Sequence, residues 1–278
     1  MTYREARMQA AALLKAAGVE NEAAESWFLM EAACEINRSF YLLYERDEMS
    51  PAQEKAYLEL TQKRCQRMPL QYLTGEQEFM GLPFAVNEHV LIPRQDTEVL
   101  VEETIQILKN EMPDADVLDL CTGSGCIGIS IQSFCPETKV TAADISEDAL
   151  NVAKHNALQN QVPVNFVHSD LFSEISGIFD LIVSNPPYIP SQVINTLMPE
   201  VRDHEPMGAL DGKEDGLYFY RRITEESVAH LKDGGYLLYE IGHDQAEAVS
   251  GFMKEQGFYD IKVIRDLAGL DRVVRGRR

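Results

Sequence analysis

The sequence predicts an α/β chain. The expected architecture is a doubly wound, mostly parallel sheet with helices on both faces, preceded by a small all-helical domain and a β-hairpin. Three observations carry this. From about residue 95 onward, short apolar runs of strand length alternate with helical segments, the pattern of βαβ units. The first ~70 residues show helical periodicity and helix-start signals but no strand pattern. Between them, Glu78–Val86 reads as two short strands around a Gly81–Pro83 turn. The expected division is a helical domain at 1–75, a hairpin linker at 76–93 and a sheet domain at 94–278.

The elements follow in order. Thr2 and Glu5 have the spacing of a capping box, Ala6, Ala10, Leu13, Leu14 and Ala17 recur at helical spacing, and Gly18 supplies a stop. A second helix is expected over Glu22–Ala33 with Asn21 as its cap, and a third over Arg38–Tyr44. Ser50, Pro51 and Gln53 start a fourth, which ends before Pro69. In the second part a helix is expected over Asp96–Asn110. Strands are expected at Ala115–Leu120, Lys139–Ala143, Val164–His168, Phe179–Ser184, Gly235–Ile241, Tyr259–Ile264 and Arg272–Val274. Helices are expected at Cys126–Phe134, Glu147–Asn156, Leu217–Leu231 and Gln245–Gln256.

Charge is divided unevenly. The 278 residues hold 45 acidic and 25 basic side chains, a net −20. The first 70 contain eleven acidic and nine basic, so the remainder carries nearly all of the excess. Such a chain is poorly suited to gripping a phosphate backbone, which needs clustered Lys and Arg. No apolar run reaches the ~18 residues of a membrane span, and the N-terminus lacks signal-peptide order. The five cysteines, Cys34, Cys65, Cys121, Cys126 and Cys135, have no metal-site spacing and read as reduced thiols of a cytoplasmic protein. No metal is expected, and the six histidines read as structural or surface residues.

In doubly wound sheets ligands bind outside the carboxyl ends of the strands. After the first such strand come Cys121, Thr122, Gly123, Ser124 and Gly125, where glycine lets backbone approach a ligand and a helix N-terminus follows. Gly123, Gly125 and Gly128 also match a dinucleotide fingerprint, a weak signal, since Gly128 inside the helix serves packing equally well. After the second strand, Asp144 suits both hydroxyls of a ribose, or a helix cap. After the third, Asp170 and Leu171 suit an adenine: an acceptor for the amine and an apolar wall for the ring. The fourth ends in Ser184, Asn185, Pro186, Pro187 and Tyr188, the most specific feature of the chain. Two prolines hold the backbone extended and remove competing N–H groups. The Asn185 side-chain oxygen and exposed carbonyls are then free to accept from a planar –NH2 group, with Tyr188 against its face.

These residues resemble the Rossmann-like, class I methyltransferases that use S-adenosylmethionine. The resemblance narrows to the HemK/PrmC family of peptide chain release factor glutamine methyltransferases. It rests on Pro69–Gly75 (PLQYLTG), Leu91–Glu98 (LIPRQDTE), Asp119–Ile127 (DLCTGSGCI), Asp144–Ser146 (DIS) and Ser184–Ile189 (SNPPYI). It continues through Glu205–Pro206, Asp215–Leu217, Glu240–Gly242 and Asp266–Arg272 (DLAGLDR). Two positions depart from the pattern. Cys121 stands where the family often has glycine, so the backbone there cannot freely take a positive φ. Leu171 stands where some members place an aromatic against the adenine.

The resemblance implies methyl transfer to the N5 side-chain amide of the glutamine in the Gly-Gly-Gln motif of release factors. It implies that Cys121–Gly125 holds the methionine part of the cofactor, Asp144 the ribose, and Asp170 with Leu171 the adenine, near Asn185. Asn185, Pro186, Pro187 and Tyr188 would bind the substrate, and Asn185, Pro186 and Tyr188 would act in catalysis. The segment Ile92–Glu98 would close over both ligands, though a helix start capped by Asp96 or Thr97 explains it equally. The helical domain would dock the release factor. The protein is expected to act as a monomer. Glu205 and the basic ending Arg272, Arg275, Arg277 and Arg278 read as a solvated face. The principal alternative is an N6-adenine methyltransferase on DNA or RNA, which shares the Asn-Pro-Pro-Tyr logic but wants a basic surface. A nicotinamide-dependent dehydrogenase leaves Asn185–Tyr188 unexplained, and a binding module without catalysis leaves the matched loops unexplained.

Overall fold

The computed structural model describes all 278 residues. The chain forms two compact units, Met1–Glu76 with Met198–His204, and Gln77–Leu197 with Glu205–Arg278.

The first unit contains α1 (Tyr3–Ala16), α2 (Glu22–Cys34), α3 (Arg38–Tyr44), α4 (Pro51–Cys65) and α5 (Leu70–Thr74). Capping boxes start α1, through Thr2 and Glu5, and α4, through Ser50 and Gln53, each satisfying two amides that the helix leaves unpaired. Ala6, Ala10 and Leu14 share one buried face of α1 and pack with Trp27, Leu29, Met30 and Tyr57. The fully buried Tyr57 donates its hydroxyl to the Ser26 carbonyl at 2.8 Å. Asn21 holds the cap position of α2 as expected, but at φ 56° and without a side-chain cap bond. Asparagine serves there by tolerating the left-handed conformation. Arg64, buried at the end of α4, donates to Glu25 at 2.5 and 3.1 Å and to Glu200 at 2.9 Å. Arg67 holds Glu200 as well. These ion pairs explain why residues 198–204 belong to this unit.

The second unit begins with the hairpin β1 (Glu76–Phe79) and β2 (Leu82–Ala85), then α6 (Gln95–Glu111), β3 (Asp116–Leu120), α7 (Cys126–Phe134), β4 (Lys139–Asp144), α8 (Glu147–Gln159), β5 (Asn165–His168) and β6 (Phe179–Ser184). Three four-residue helices follow, α9 (Ser191–Ile194), α10 (Pro199–Arg202, in the first unit) and α11 (Met207–Leu210). The chain closes with α12 (Tyr218–Ser227), β7 (Leu231–Glu240), α13 (Ala246–Glu255), β8 (Tyr259–Arg265) and β9 (Asp271–Arg277). The sheet order is β5-β4-β3-β6-β7-β9-β8, with β5 through β7 parallel and β9 antiparallel to both neighbours. Strand order reverses between β3 and β6. That is the switch point where a crevice opens at the carboxyl ends. Both faces are covered: Val117 packs with the hairpin, α6 and α7, while its neighbour Leu118 packs with α12 and α13.

Four expectations change. The hairpin is no free linker: Phe79 and Phe84 are fully buried in the sheet's core, their rings 6.0 Å apart edge to face. Leu231 does not end a helix but opens β7. It pairs with Phe179, and a shift in register around Gly234 and Gly235 restores pairing at Tyr236. β9 extends to Arg277 because its basic side chains have acidic partners on α6. Arg275 meets Glu103 at 3.0 Å, Arg277 meets Glu111 at 3.4 Å, and Arg272 is shared by Asp96 and Asp266 at 3.2 and 3.1 Å. Lastly, Glu205 is not on a solvated face. Its side chain is 1% exposed and accepts from Arg94 at 2.5 Å.

Candidate active site

A cavity of about 480 Å³ lies at the carboxyl ends of β3, β4 and β6, within the range of small-molecule sites. Cys121, Thr122, Gly123 and Ser124 line it from the loop after β3, Asp144 from the end of β4, and Asp170 and Leu171 from beyond β5. Asn185 and Pro187 line it from the loop after β6. Gly125, Pro186 and Tyr188 are not in its wall.

The two glycines of the first loop have different tasks. Gly123 takes φ +55°, and a Cβ there would meet nothing within 4 Å, so its open side allows close approach to backbone. Gly125 caps α7 at φ +83°, and a Cβ there would lie 2.7 Å from Ile129 Cδ1 and 3.1 Å from Ala153 Cβ. Its constraint is packing. Gly128 is also a packing position, 3.0 Å from Asp119 Oδ2 for an added Cβ. Cys121 takes φ +60° and Leu171 φ +50°, conformations that cost an L-residue about 1–2 kcal/mol. Ser169 pins the second of these loops, donating to the Leu171 carbonyl at 2.7 Å and accepting from Glu174 N–H at 3.0 Å. Strained backbone that gathers around one cavity points to a functional site.

Asp144 ties two loops together. Oδ2 accepts from Gly123 N–H and Oδ1 from Ser146 N–H, both at 2.9 Å. The capping of α8 falls to Ser146 instead, which accepts from Ala149 N–H at 3.1 Å. With the N–H groups of Gly123, Ser146 and Ile145 on it, the Asp144 carboxylate keeps one lone pair for a ligand hydroxyl. Burial pushes the Asp144 carboxyl up, and the N–H bonds from Ser146, Gly123 and Ile145 oppose this. Asp119, fully buried at the end of β3, accepts from the Thr122 hydroxyl at 2.5 Å and Gly128 N–H at 3.0 Å. Burial pushes it up to about 7. Asp170 is half exposed and paired with Arg222 at 3.1 Å, so its carboxylate is shared.

At the end of β6, Ser184 donates to the Leu120 carbonyl at 2.8 Å and fastens the loop to β3. Asn185 donates through Nδ2 to Thr97 Oγ1 at 3.4 Å. Thr97 is no cap for α6. Arg94 occupies the cap position without a side-chain bond, and Thr97 is 2% exposed in the cavity wall. Tyr188 turns from the cavity, donating its hydroxyl to Glu240 Oε1 at 3.3 Å, while its carbonyl accepts from Gln245 Nε2 at 3.0 Å. Burial pushes the Tyr188 hydroxyl upward, and the charge of Glu240 adds to this. Residue chemistry alone did not single out Thr97 or Glu240. Thr97 read as a helix start, and Glu240 entered only as part of the Glu240–Gly242 motif of the resemblance. Of the histidines, His89 lines the cavity.

The family described as Methyltransferase small domain matches residues 96–200, and that described as PrmC N-terminal domain matches residues 5–75. The chain is 42% identical to a release factor glutamine methyltransferase of Geobacter sulfurreducens, over 94% of this chain and 91% of that one. It is 38% identical to its counterpart in Clostridium botulinum over the full length of both. The chain belongs to the release factor glutamine methyltransferase family. Among solved structures, a methyltransferase from Pyrococcus furiosus superposes with a TM-score of 0.53 at 17% identity, over 72% of this chain and 90% of that one, a likeness of fold.

Proposed function

We propose that this protein transfers the methyl group of S-adenosylmethionine to the N5 side-chain amide of the glutamine in the Gly-Gly-Gln motif of peptide chain release factors. The observation that carries the reading is the meeting, in one cavity, of the Cys121–Ser124 loop, Asp144 and Asn185. The residues suit the cofactor. Asp144 keeps an acceptor lone pair, and Gly123 leaves open space beside its backbone. Cys121–Ser124 would hold its methionine part, Asp144 its ribose, and Leu171 with Asp170 its adenine, while Gly125 serves only the packing beneath the loop. When bound, S-adenosylmethionine supplies an electrophilic methyl group.

An amide nitrogen is a weak nucleophile because its lone pair is delocalised. Asn185 Oδ1 and the Pro186 carbonyl would accept the two N–H bonds of the glutamine carboxamide. This holds the nitrogen in place and raises its electron density, so that positioning and directed hydrogen bonding supply most of the acceleration. Pro187 contributes cavity wall, and Tyr188 stiffens the loop from behind. The departing amide proton goes to water. The helical unit is the docking surface for the release factor body. We infer action as a monomer in the cytoplasm, where translation terminates, with no role for nucleic acid given the net charge of −20; no helix is long and apolar enough to cross a membrane.

Mass spectrometry of the Gly-Gly-Gln peptide after incubation of a release factor with the protein and S-adenosylmethionine tests the reading. A gain of one methyl on the glutamine is expected. Methylation of DNA offered alongside, with none on the release factor, refutes it. Asn185→Ala should lower transfer by about 10²-fold or more while cofactor affinity stays nearly unchanged.

A further inference from the structure

We propose that Thr97 and Glu240 act as positioning residues that fix which way the Asn185 carboxamide faces, making Asn185 an acceptor and not a donor toward the substrate. The inference rests on the function proposed above and deepens it.

The two ends of an asparagine side chain have nearly the same shape and opposite polarity. A flip of Asn185 would present –NH2 to the substrate –NH2, two donors face to face. In the structure Nδ2 donates to Thr97 Oγ1 at 3.4 Å, which leaves Oδ1 as the end for a ligand. Catalytic hydrogen bonds of this length commonly tighten when substrate binds. Thr97 alone could not enforce the orientation, because a hydroxyl donates as readily as it accepts.

Glu240 removes that freedom. It ends β7, is 2% exposed, and as a carboxylate only accepts. Its Oε1 takes the Tyr188 hydroxyl at 3.3 Å. Its Oε2 is buried and makes no well-formed hydrogen bond, which leaves it open to the proton of Thr97, one of the groups that bear on its charge. Burial pushes the Glu240 carboxyl up, while hydrogen bonding from Thr97, the charge of Arg272 and the bond from Tyr188 favour its ionised form. Arg272 is itself held by Asp266 and Asp96 at 3.1 and 3.2 Å. The polarity of the chain is then set from one end. Glu240 takes the proton of Thr97, Thr97 can only accept, and Asn185 must turn its –NH2 inward. The same carboxylate holds Tyr188, so one buried charge orients both ends of the Asn185–Tyr188 loop.

The test compares the full-length wild type with Thr97→Val, Thr97→Ser and Glu240→Gln. It measures kcat and KM with a release factor, S-adenosylmethionine affinity by calorimetry, and folding by circular dichroism. Methyl transfer by the wild type is the separate check on the function, since its absence defeats that reading whatever the variants do. With wild-type transfer in hand, Thr97→Val should lower kcat by about 10²-fold with cofactor affinity within about twofold. Thr97→Ser, which keeps the hydroxyl, should stay within about threefold of wild type, an effect of roughly 0.6 kcal/mol. Glu240→Gln can donate to Thr97 and so release Asn185 to flip; it should lose about tenfold or more. The proposal is overturned if Thr97→Val keeps kcat within about threefold of wild type, or if Thr97→Ser loses as much as Thr97→Val.

Discussion

Asn156 gives the sharpest test of how the cavity is held. It lies fully buried on α8 and makes three hydrogen bonds to backbone. Oδ1 accepts from Ala85 N–H at 2.7 Å, and Nδ2 donates to the Ala85 and Ser124 carbonyls at 3.1 and 2.9 Å. One side chain thus joins the hairpin to the loop that lines the cavity. Asn156→Ala removes three bonds and strands their backbone partners, at about 1 kcal/mol each, so about 3 kcal/mol in all. For a unit of this size, that is a fall in Tm of about 6–12 °C. Cofactor affinity should weaken too, because Ser124 loses its anchor. Asn156→Asp conserves shape better but should be worse. It keeps the acceptor for Ala85 N–H and sets a buried, acceptor-only oxygen against two carbonyls. Scanning calorimetry with and without S-adenosylmethionine measures both effects. If the Asp variant matches or exceeds the Ala variant in stability, or Ala costs under about 1 kcal/mol, the assignment of these bonds is wrong.

Three further outcomes are expected. Arg64→Ala leaves Glu25 without its partner in the helical unit, while Arg67 still holds Glu200; it should cost that unit about 2–3 kcal/mol, below the usual cost of breaking a buried pair. Trp27, the sole tryptophan, is buried in that unit, so its fluorescence in a urea titration reads this unit alone, and an unchanged midpoint would reject the prediction. Gly123→Ala should weaken cofactor binding more than stability. Gly125→Ala, crowding Ile129 and Ala153, should instead cost about 2–3 kcal/mol of stability, and thermal shift alongside calorimetric titration distinguishes the two. The Asp119 carboxyl, at about 7 in the fold and near 4 in the unfolded chain, retains a proton between those pH values that the unfolded chain releases. Stability should therefore fall as pH rises from about 4 to 7, and Asp119→Asn should flatten that fall in urea titrations; parallel curves would discount it.

The paired prolines after Asn185, the loop at Gly123 and the carboxylate at Asp144 were legible because each is a local event: a strand end, a turn, a first acidic residue. The doubly wound sheet was legible for the same reason, since strand and helix periods are written in neighbouring residues. Glu205 and the basic ending were misread because their partners are remote. Arg94 lies 111 residues before Glu205, and Arg277 meets Glu111 across 166 residues. Charge in sequence looks like a solvated face until a partner of opposite sign is brought beside it.

The sequence by itself determined that the second part is an α/β sheet with its chemistry at the strand ends, because periodicity and turn residues act over a few positions. Only the tertiary structure decided which polar groups line the cavity and which stand behind its wall. Gly125 proved a packing glycine, Tyr188 turned from the cavity to a buried glutamate, and Thr97 left the cap of its helix for Asn185. Those placements depend on hydrogen bonds between groups 52 and 88 residues apart, which local periodicity does not reach.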